Sequence, residues 1–192
     1  MGRIVVTEFV TVDGRVEDPG GAEGFDRGGF AFRFSRGDDG DKFKLDELMA
    51  AEALLLGRVT YEGFAAAWPG RADEAGFADK MNGMPKYVVS TTLEKAEWNN
   101  STVIRGEVAA EVGKLKERTA GDLLVAGSVR LVQTLAEHDL VDEYRLMVFP
   151  TILGAGKQLF AATSHAASLR LAEAAPVGPD GVVILIYRSA GG

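Results

Sequence analysis

Apolar residues recur along this chain with two periods, one typical of strands and one typical of helices. Residues 4–12 alternate and are rich in β-branched side chains, so we predict a buried first strand there. Residues 42–51 carry apolar side chains at helical spacing and lead into an apolar strand at 53–56. Further helices are predicted at 59–67, 74–83, 107–118 and 128–137, and further strands at 87–89, 102–104, 123–125, 143–149, 168–174 and 182–188. The last two strands have no helix between them, which predicts antiparallel pairing in the last third of the chain.

Three of the predicted strands break at their C-terminal ends into small, polar or basic residues, followed by a helical pattern. The three junctions are Gly57-Arg58-Val59-Thr60-Tyr61, Ser90-Thr91-Thr92 and Ala126-Gly127-Ser128. In an open α/β sheet, ligands bind beyond the carboxyl ends of the strands, where free amides at helix N-termini attract phosphate. The pattern therefore predicts a site for a nucleotide that carries several phosphates.

Residues 13–41 interrupt this order. The segment holds eight glycines and many aspartates, so we predict a long loop rather than a helix or strand. Phe25, Phe30, Phe32 and Phe34 give it apolar anchors, which favours a partly ordered flap.

Length and composition fit one domain spanning residues 1–192, of which 46% are hydrophobic. A net charge of −7 argues against a general nucleic-acid surface. The chain has no cysteine and two histidines, so we expect no metal site. The first apolar run is too short for a signal peptide or a membrane span, and we expect a cytoplasmic protein with no membrane partner.

Three familiar motifs are absent. Gly154-Ala155-Gly156-Lys157 lacks the glycine and the hydroxyl residue that a Walker phosphate loop requires. No G-x-G-x-x-G follows the first strand, and Ser128 is not flanked by the glycines of a nucleophile elbow.

The ordered motifs nevertheless carry a resemblance that extends over most of the chain. They are the three junctions above, together with Thr11-Val12-Asp13-Gly14, Met147-Val148-Phe149-Pro150 and Leu153-Gly154-Ala155-Gly156-Lys157-Gln158-Leu159-Phe160. With them the chain resembles the dihydrofolate reductase-like superfamily. More closely, it resembles single-domain relatives of the reductase half of bifunctional riboflavin-biosynthesis deaminase-reductases. The resemblance implies a three-layer α/β/α sandwich with a mixed, mostly parallel sheet and antiparallel C-terminal strands. It also implies a homodimer that binds NADPH and transfers hydride to a small substrate.

The resemblance assigns the first junction to phosphate binding. Gly57 would let the backbone approach a phosphate, and Arg58 and Thr60 would bind its oxygens. The alternative is a glycine turn beside a surface arginine. Ser90 and Thr91 replace the acid that often binds the ribose in NAD enzymes, so with Arg58 they favour the 2′-phosphate of NADPH.

Arg105 is a second candidate for the adenine or 2′-phosphate, although an exposed arginine at a strand end is an equal alternative. Ala126, Gly127 and Ser128 would hold the pyrophosphate on the following helix. Here the chain departs from its relatives, many of which have Gly-Gly or Glu-Gly-Gly. The missing glutamate weakens any transfer of riboflavin-pathway substrate chemistry. Whether the peptide between Ala126 and Gly127 is cis, as at the glycine pair of dihydrofolate reductases, stays open.

The candidate catalytic and substrate residues, among them Asp13 and Gly14, come from the loop after the first strand and from two further positions. Asp13 could orient a substrate amine or relay a proton, or it could cap its own turn with Gly14. Glu17 and Asp18 are further acids on this loop, and water could also supply the proton.

Trp68 could form an apolar wall over the substrate, but core packing is the stronger reading. Lys157 would bind a substrate phosphate or face solvent. The leading hypothesis is an NADPH-dependent reductase of a small heterocyclic or carbonyl compound, which includes reductases of the 5-amino-6-(5-phosphoribosylamino)uracil type. The alternative is a nucleotide-binding module without turnover.

Overall fold

A computed structural model describes residues 1–190, which form a single eight-stranded sheet with helices on both faces. The strands are β1 (Arg3–Thr11), β2 (Ala51–Gly57), β3 (Lys86–Val89), β4 (Ser101–Ile104), β5 (Asp122–Ala126), β6 (Glu143–Phe149), β7 (Leu169–Val177) and β8 (Val182–Ser189). The helices are α1 (Gly37–Ala50), α2 (Arg58–Ala67), α3 (Phe77–Gly83), α4 (Val108–Arg118) and α5 (Val129–Glu137), with a short 3₁₀ helix at Phe30–Phe32.

The sheet has the order β4-β3-β2-β5-β1-β6-β8-β7. Strands β1 to β6 are mutually parallel, β8 is antiparallel to β6, and β7 is antiparallel to β8. The predicted mixed sheet with antiparallel C-terminal strands is therefore confirmed. Because the first six strands are parallel, their C-terminal ends meet at one edge of the sheet.

Alternate residues of β1 supply the two sides of the core, as the period of two in a strand requires. Ile4, Val6 and Val10 pack with α4 and α5 on one face. Val5 packs with residues of α1 to α3 on the other. The expected three-layer α/β/α arrangement is thus present.

Two helix boundaries differ from the sequence predictions. Helix α1 begins at Gly37, inside the predicted loop, and Asp38 and Asp39 lie in its first turn, where the helix dipole favours negative charge. Helix α3 begins at Phe77, three residues later than predicted. The Asp73 carboxylate accepts hydrogen bonds from the amides of Phe77 (2.9 Å) and Ala78 (2.6 Å), and it thereby fixes this start.

The loop before α1 is ordered around a buried acid. Asp18 accepts hydrogen bonds from the amides of Glu23 (3.1 Å) and Phe25 (3.2 Å), and Phe30 is fully buried against β6 and β8. Phe32, in contrast, is 77% exposed. Within residues 1–190, no helix has both the length and the apolar composition needed to cross a membrane.

Candidate functional site

Residues of the first and third predicted junctions meet at the edge of the sheet where β2 and β5 end. The amide of Gly57 donates a hydrogen bond to the Ser128 hydroxyl (2.9 Å), and the amide of Ser128 donates one to the Thr60 hydroxyl (2.9 Å). These bonds tie the N-terminus of α2 directly to the N-terminus of α5. We call this pair of linked helix starts, residues 57–60 and 126–128, the cradle.

The cradle leaves helix amides available for a ligand. Within the described residues, neither α2 nor α5 has a side chain that caps its N-terminus. Ser128 precedes α5 and has a hydroxyl suited to capping, but it adopts a left-handed conformation (φ 59°) and its hydroxyl accepts a hydrogen bond from the Gly57 amide instead. Two positive helix ends with uncapped amides form an anion-binding geometry.

Gly127 lies against Thr60 within the cradle. Its φ is +60°, and a Cβ there would lie 3.1 Å from Cγ2 of Thr60. A side chain at this position would be strained and would push against Thr60. All peptide bonds within residues 1–190 are trans, so the bond between Ala126 and Gly127 is trans as well.

The end of β3 lies beside the cradle because Gly57 is in register with Val89. Ser90 therefore begins the turn on the strand that neighbours the start of α2. The Ser90 hydroxyl accepts hydrogen bonds from the amides of Thr92 (3.2 Å) and Leu93 (2.9 Å), so it is engaged in its own turn. Thr91 is exposed.

The two candidate arginines have protein partners. Arg58 is exposed and forms an ion pair with Glu62, one turn further along α2, at 2.9 Å. An exposed pair of this kind contributes little free energy, so Arg58 can turn toward a ligand. Arg105 donates hydrogen bonds to the carbonyls of Leu93 (2.6 Å) and Glu94 (2.9 Å), which fastens the loop after β3.

Asp13 is held by three donors. Its carboxylate accepts hydrogen bonds from the Thr11 hydroxyl (2.6 Å) and from the amides of Leu153 (3.2 Å) and Gly154 (2.8 Å). Burial alone would raise the pKa of Asp13, but these hydrogen bonds outweigh it and lower the pKa to about 2. Asp13 is therefore ionised at neutral pH and fastens residues 153–154 to the end of β1, which favours turn capping over proton relay.

The other loop candidates form a second connection between the same segments. The Gly14 carbonyl accepts a hydrogen bond from the Leu159 amide (3.0 Å). Lys157 donates its amide to Glu17 (3.0 Å), and its ammonium lies 2.8 Å from the same carboxylate. Half of the Lys157 side chain remains exposed.

Trp68 is not brought to this edge. It follows the last residue of α2, which starts at the edge and runs about 15 Å away from it over ten residues. Its ring packs against Phe77 at 5.2 Å and under Arg71 at 5.3 Å. These contacts favour core packing between α2 and α3, the stronger of the two readings of Trp68 from the sequence, over a wall above the substrate.

Polar side chains in the middle of β1 were not identified from the sequence. The Thr7 hydroxyl donates to Glu47 of α1 (2.8 Å) and receives a hydrogen bond from Lys44 (2.7 Å), which also pairs with Glu47. The next residue, Glu8, is only 5% exposed, and its Oε1 has no hydrogen-bond partner within the described residues. An acid inside a strand covered on both faces was the available signal, because charges are almost never fully buried without a partner.

Comparisons with known proteins identify relatives of this chain. The family model described as the RibD C-terminal domain matches residues 3–183. The Bacillus subtilis protein YyaP, described as uncharacterized, is 29% identical over 153 residues, which cover 78% of this chain and 80% of YyaP.

Two solved structures show the fold. A putative riboflavin biosynthesis protein from Shewanella sp. PV-4 has a TM-score of 0.77 at 17% identity, covering 98% of this chain and 99% of that chain. Dihydrofolate reductase from Enterococcus faecalis, complexed with NADP(H) and RAB-propyl, has a TM-score of 0.61 at 12% identity, covering 98% and 97%.

Proposed function

The chain belongs to the RibD C-terminal domain family, and from this premise we propose that it is an NADPH-dependent reductase of a small heterocyclic or carbonyl substrate. The observation that carries the proposal is the cradle, in which the starts of α2 and α5 are joined through Gly57, Thr60 and Ser128. Its uncapped amides fit the pyrophosphate of a dinucleotide, and a side chain at the left-handed Gly127 would press on Thr60 and disturb the cradle.

The preference for NADPH over NADH is assigned to the strand ends beside the cradle. Arg58 and the exposed Thr91 lie on neighbouring junctions, and neither position carries an acid that would repel a 2′-phosphate. A charge-assisted hydrogen bond contributes roughly 1.5–3 kcal/mol, which corresponds to about ten- to a hundredfold in affinity. Glu62 is the competitor that Arg58 must leave.

In this proposal the bound cofactor supplies the hydride, and the chain supplies position and shelter. Asp13 fixes residues 153–154 against the end of β1, and the flap around Asp18 lies on the same side of the molecule. Since Asp13 is ionised, it does not supply the proton that a reduced heteroatom requires. We assign that proton to water.

The substrate side is assigned to the α1 face of β1. There Lys44 lies between the Thr7 hydroxyl and Glu47, and its ammonium is 5.0 Å from the centre of the Phe9 ring. A cation, a carboxylate and an aromatic ring suit a polar, planar heterocycle. A phosphoribosylaminouracil is a specific candidate, and Lys157 could reach its phosphate only by leaving Glu17.

We also infer a homodimer. Strand β7 is an edge strand, and Leu169 (38% exposed) and Leu171 (51% exposed) are accessible on it, with Phe160 (48% exposed) on the preceding segment. Exposed apolar residues on an edge strand favour association. Light scattering should give a dimer mass for the native chain and a monomer mass for Leu171→Asp.

The function is tested by titrating NADPH and NADH calorimetrically. NADPH should bind with the higher affinity. Loss of absorbance at the reduced-nicotinamide band is then followed across pterins, pyrimidines, quinones and aldehydes, which should reveal at least one substrate. Binding with no oxidation of any compound would favour the alternative of a nucleotide-binding module, and absence of NADPH binding would refute both.

A further inference from the structure

Glu8 is a buried acid in a strand that is otherwise apolar on the same face. Its side chain lies between Val6 and Val10, which pack against α4 and α5. Within the described residues Oε1 has no hydrogen-bond partner and is inaccessible to solvent. A buried polar atom without a partner destabilises a protein, so it needs an explanation.

The position of Glu8 in the sheet suggests that explanation. Strand β5 ends at Ala126, which is in register with Thr7. Strand β1 continues to Thr11 and beyond this point is paired only with β6. Glu8 is thus the first residue of β1 past the end of β5. We call this place, where β1 outruns β5, the notch.

The notch adjoins the cradle. Gly127 and Ser128 follow Ala126 directly and lead into α5, and α5 covers the face of β1 on which Glu8 lies. A dinucleotide whose pyrophosphate binds at the start of α5 would extend its nicotinamide ring toward this gap. On the α5 side of the sheet, Glu8 supplies a buried oxygen without a partner within the described residues.

The effect of burial on the protonation of Glu8 supports the same interpretation. Burial raises the pKa of Glu8 well above its ordinary value; Lys44 opposes this rise, and Glu47 adds to it. A protonated carboxyl offers one donor and one acceptor in a single plane. A primary amide offers the complementary pair.

We propose that the carboxyl of Glu8 recognises the carboxamide of the nicotinamide ring through two hydrogen bonds. The inference rests on the proposed function, since it presupposes that the dinucleotide binds in the cradle. With its carboxamide held on the α5 side, the ring has a fixed rotation and presents one face to Lys44 and Thr7. Glu8 is in this sense a residue that determines cofactor specificity and hydride face.

The test compares three ligands by calorimetry: NADP⁺, its 3-acetylpyridine analogue, and 2′-phospho-ADP-ribose, which lacks the ring. The acetyl analogue keeps the carbonyl but loses the amide donor. Native protein should bind NADP⁺ about tenfold more tightly than the acetyl analogue. Glu8→Leu should bind NADP⁺ at least tenfold more weakly, lose the preference between the two, and keep its affinity for 2′-phospho-ADP-ribose.

Glu8→Gln is the conservative variant, because its amide also has a donor and an acceptor in one plane. It should bind NADP⁺ within about threefold of the native protein. Val6→Ala, on the same face, is the control for loosened packing and should keep the preference for amide over acetyl. Glu8→Gln also keeps the test valid if Glu8→Leu does not fold.

Three outcomes would overturn the inference. The first is an unchanged preference in Glu8→Leu, and the second is an equal loss of affinity for all three ligands. The third is a loss of NADP⁺ affinity in Glu8→Gln as large as that in Glu8→Leu, because the glutamine amide keeps a donor and an acceptor in one plane. If the native protein binds 2′-phospho-ADP-ribose but Glu8→Leu does not change the binding of NADP⁺, only this inference fails. If it binds none of the ligands, the proposed function fails with it.

Discussion

The two sides of the candidate site consist of different kinds of chemical groups. On the side of β2 and β5, the cradle consists of backbone amides, glycines and two hydroxyls. Two of the amides donate hydrogen bonds to the two hydroxyls at 2.9 Å. On the side of β1, the groups are the carboxyls and cations of Glu8, Asp13, Lys44 and Glu47. The first side depends on the shape of the backbone, whereas the second depends on burial and charge. Substitutions that remove space should therefore damage the first side most, and substitutions that remove charge should damage the second.

The largest effect is expected at Gly127. In Gly127→Val a β-branched side chain would occupy a left-handed position, 3.1 Å from Thr60, at a cost of about 1–3 kcal/mol for the backbone alone. Displacement of Thr60 would also release the Ser128 amide. We expect NADPH affinity to fall about a hundredfold, measured by calorimetry.

The matched control is Gly63→Val in the same helix as Thr60. Gly63 is exposed, and a Cβ there would meet no atom of the described residues within 4 Å. Its affinity for NADPH should stay within about twofold of the native value. Equal losses in both variants would mean that the cradle does not bind the cofactor.

Arg58 should have the next largest effect, and on selectivity rather than on folding. Arg58→Ala removes the cation beside the 2′-phosphate, so we expect the ratio of NADPH to NADH affinity to fall about ten- to a hundredfold. Glu62→Gln should raise the ratio slightly, since it frees the guanidinium from its 2.9 Å ion pair. Arg118→Ala, an exposed arginine on α4, is the control. An unchanged ratio in Arg58→Ala would remove the basis for assigning NADPH.

Gly127 and Arg58 show which features of the site can be predicted from the sequence. Glycines, hydroxyls and arginines that follow apolar runs have a local signature, because strand, turn and helix start are contiguous in the chain. The absence of a helical pattern between the last two strands also predicted their antiparallel pairing, and β6 begins and ends at the predicted residues 143–149.

The β1 side has no such local signature. Whether Glu8 is buried depends on α5, more than 120 residues away in sequence, and Glu47 meets Thr7 only because α1 crosses β1. The early start of α1 was missed for a related reason: glycines at 37 and 40 are typical of loops, but Gly40 is buried within a helix. Trp68 shows the converse, since core packing was already the stronger reading of it and the ring lies against Phe77, a helix length from the start of α2.

Asp13 separates structural from chemical roles on the β1 side. Its pKa of about 2 lies below the usual value of 3.8, so the folded state holds its proton less tightly than the unfolded state does. The stabilisation is complete above about pH 4 and is lost as the pH falls toward 2. Asp13→Asn should lower the free energy of unfolding at pH 7 by about 1–2 kcal/mol, with turnover largely retained.

Urea unfolding at pH 7 and at pH 2.5 measures this difference. The gap between the native protein and Asp13→Asn should shrink at the lower pH. Asp26→Asn, an exposed acid of the same loop, is the control and should change stability by less than about 0.5 kcal/mol. A large loss of turnover in Asp13→Asn, with stability unchanged, would restore the proton relay.

The smallest effect is expected at Lys157, which pairs with Glu17 on the β1 side of the site. Its ion pair with Glu17 is half exposed, so the free energy of unfolding should change by less than about 1 kcal/mol in Lys157→Met. If Lys157 binds a substrate phosphate, KM for a phosphorylated substrate should rise about tenfold while kcat and the KM of an unphosphorylated one stay constant. Glu17→Gln should lower the former KM, because it frees the same ammonium. Equal kinetics for both substrate types would place Lys157 outside the site, and the chain's preference among heterocycles would then depend on Lys44 and Glu47 alone.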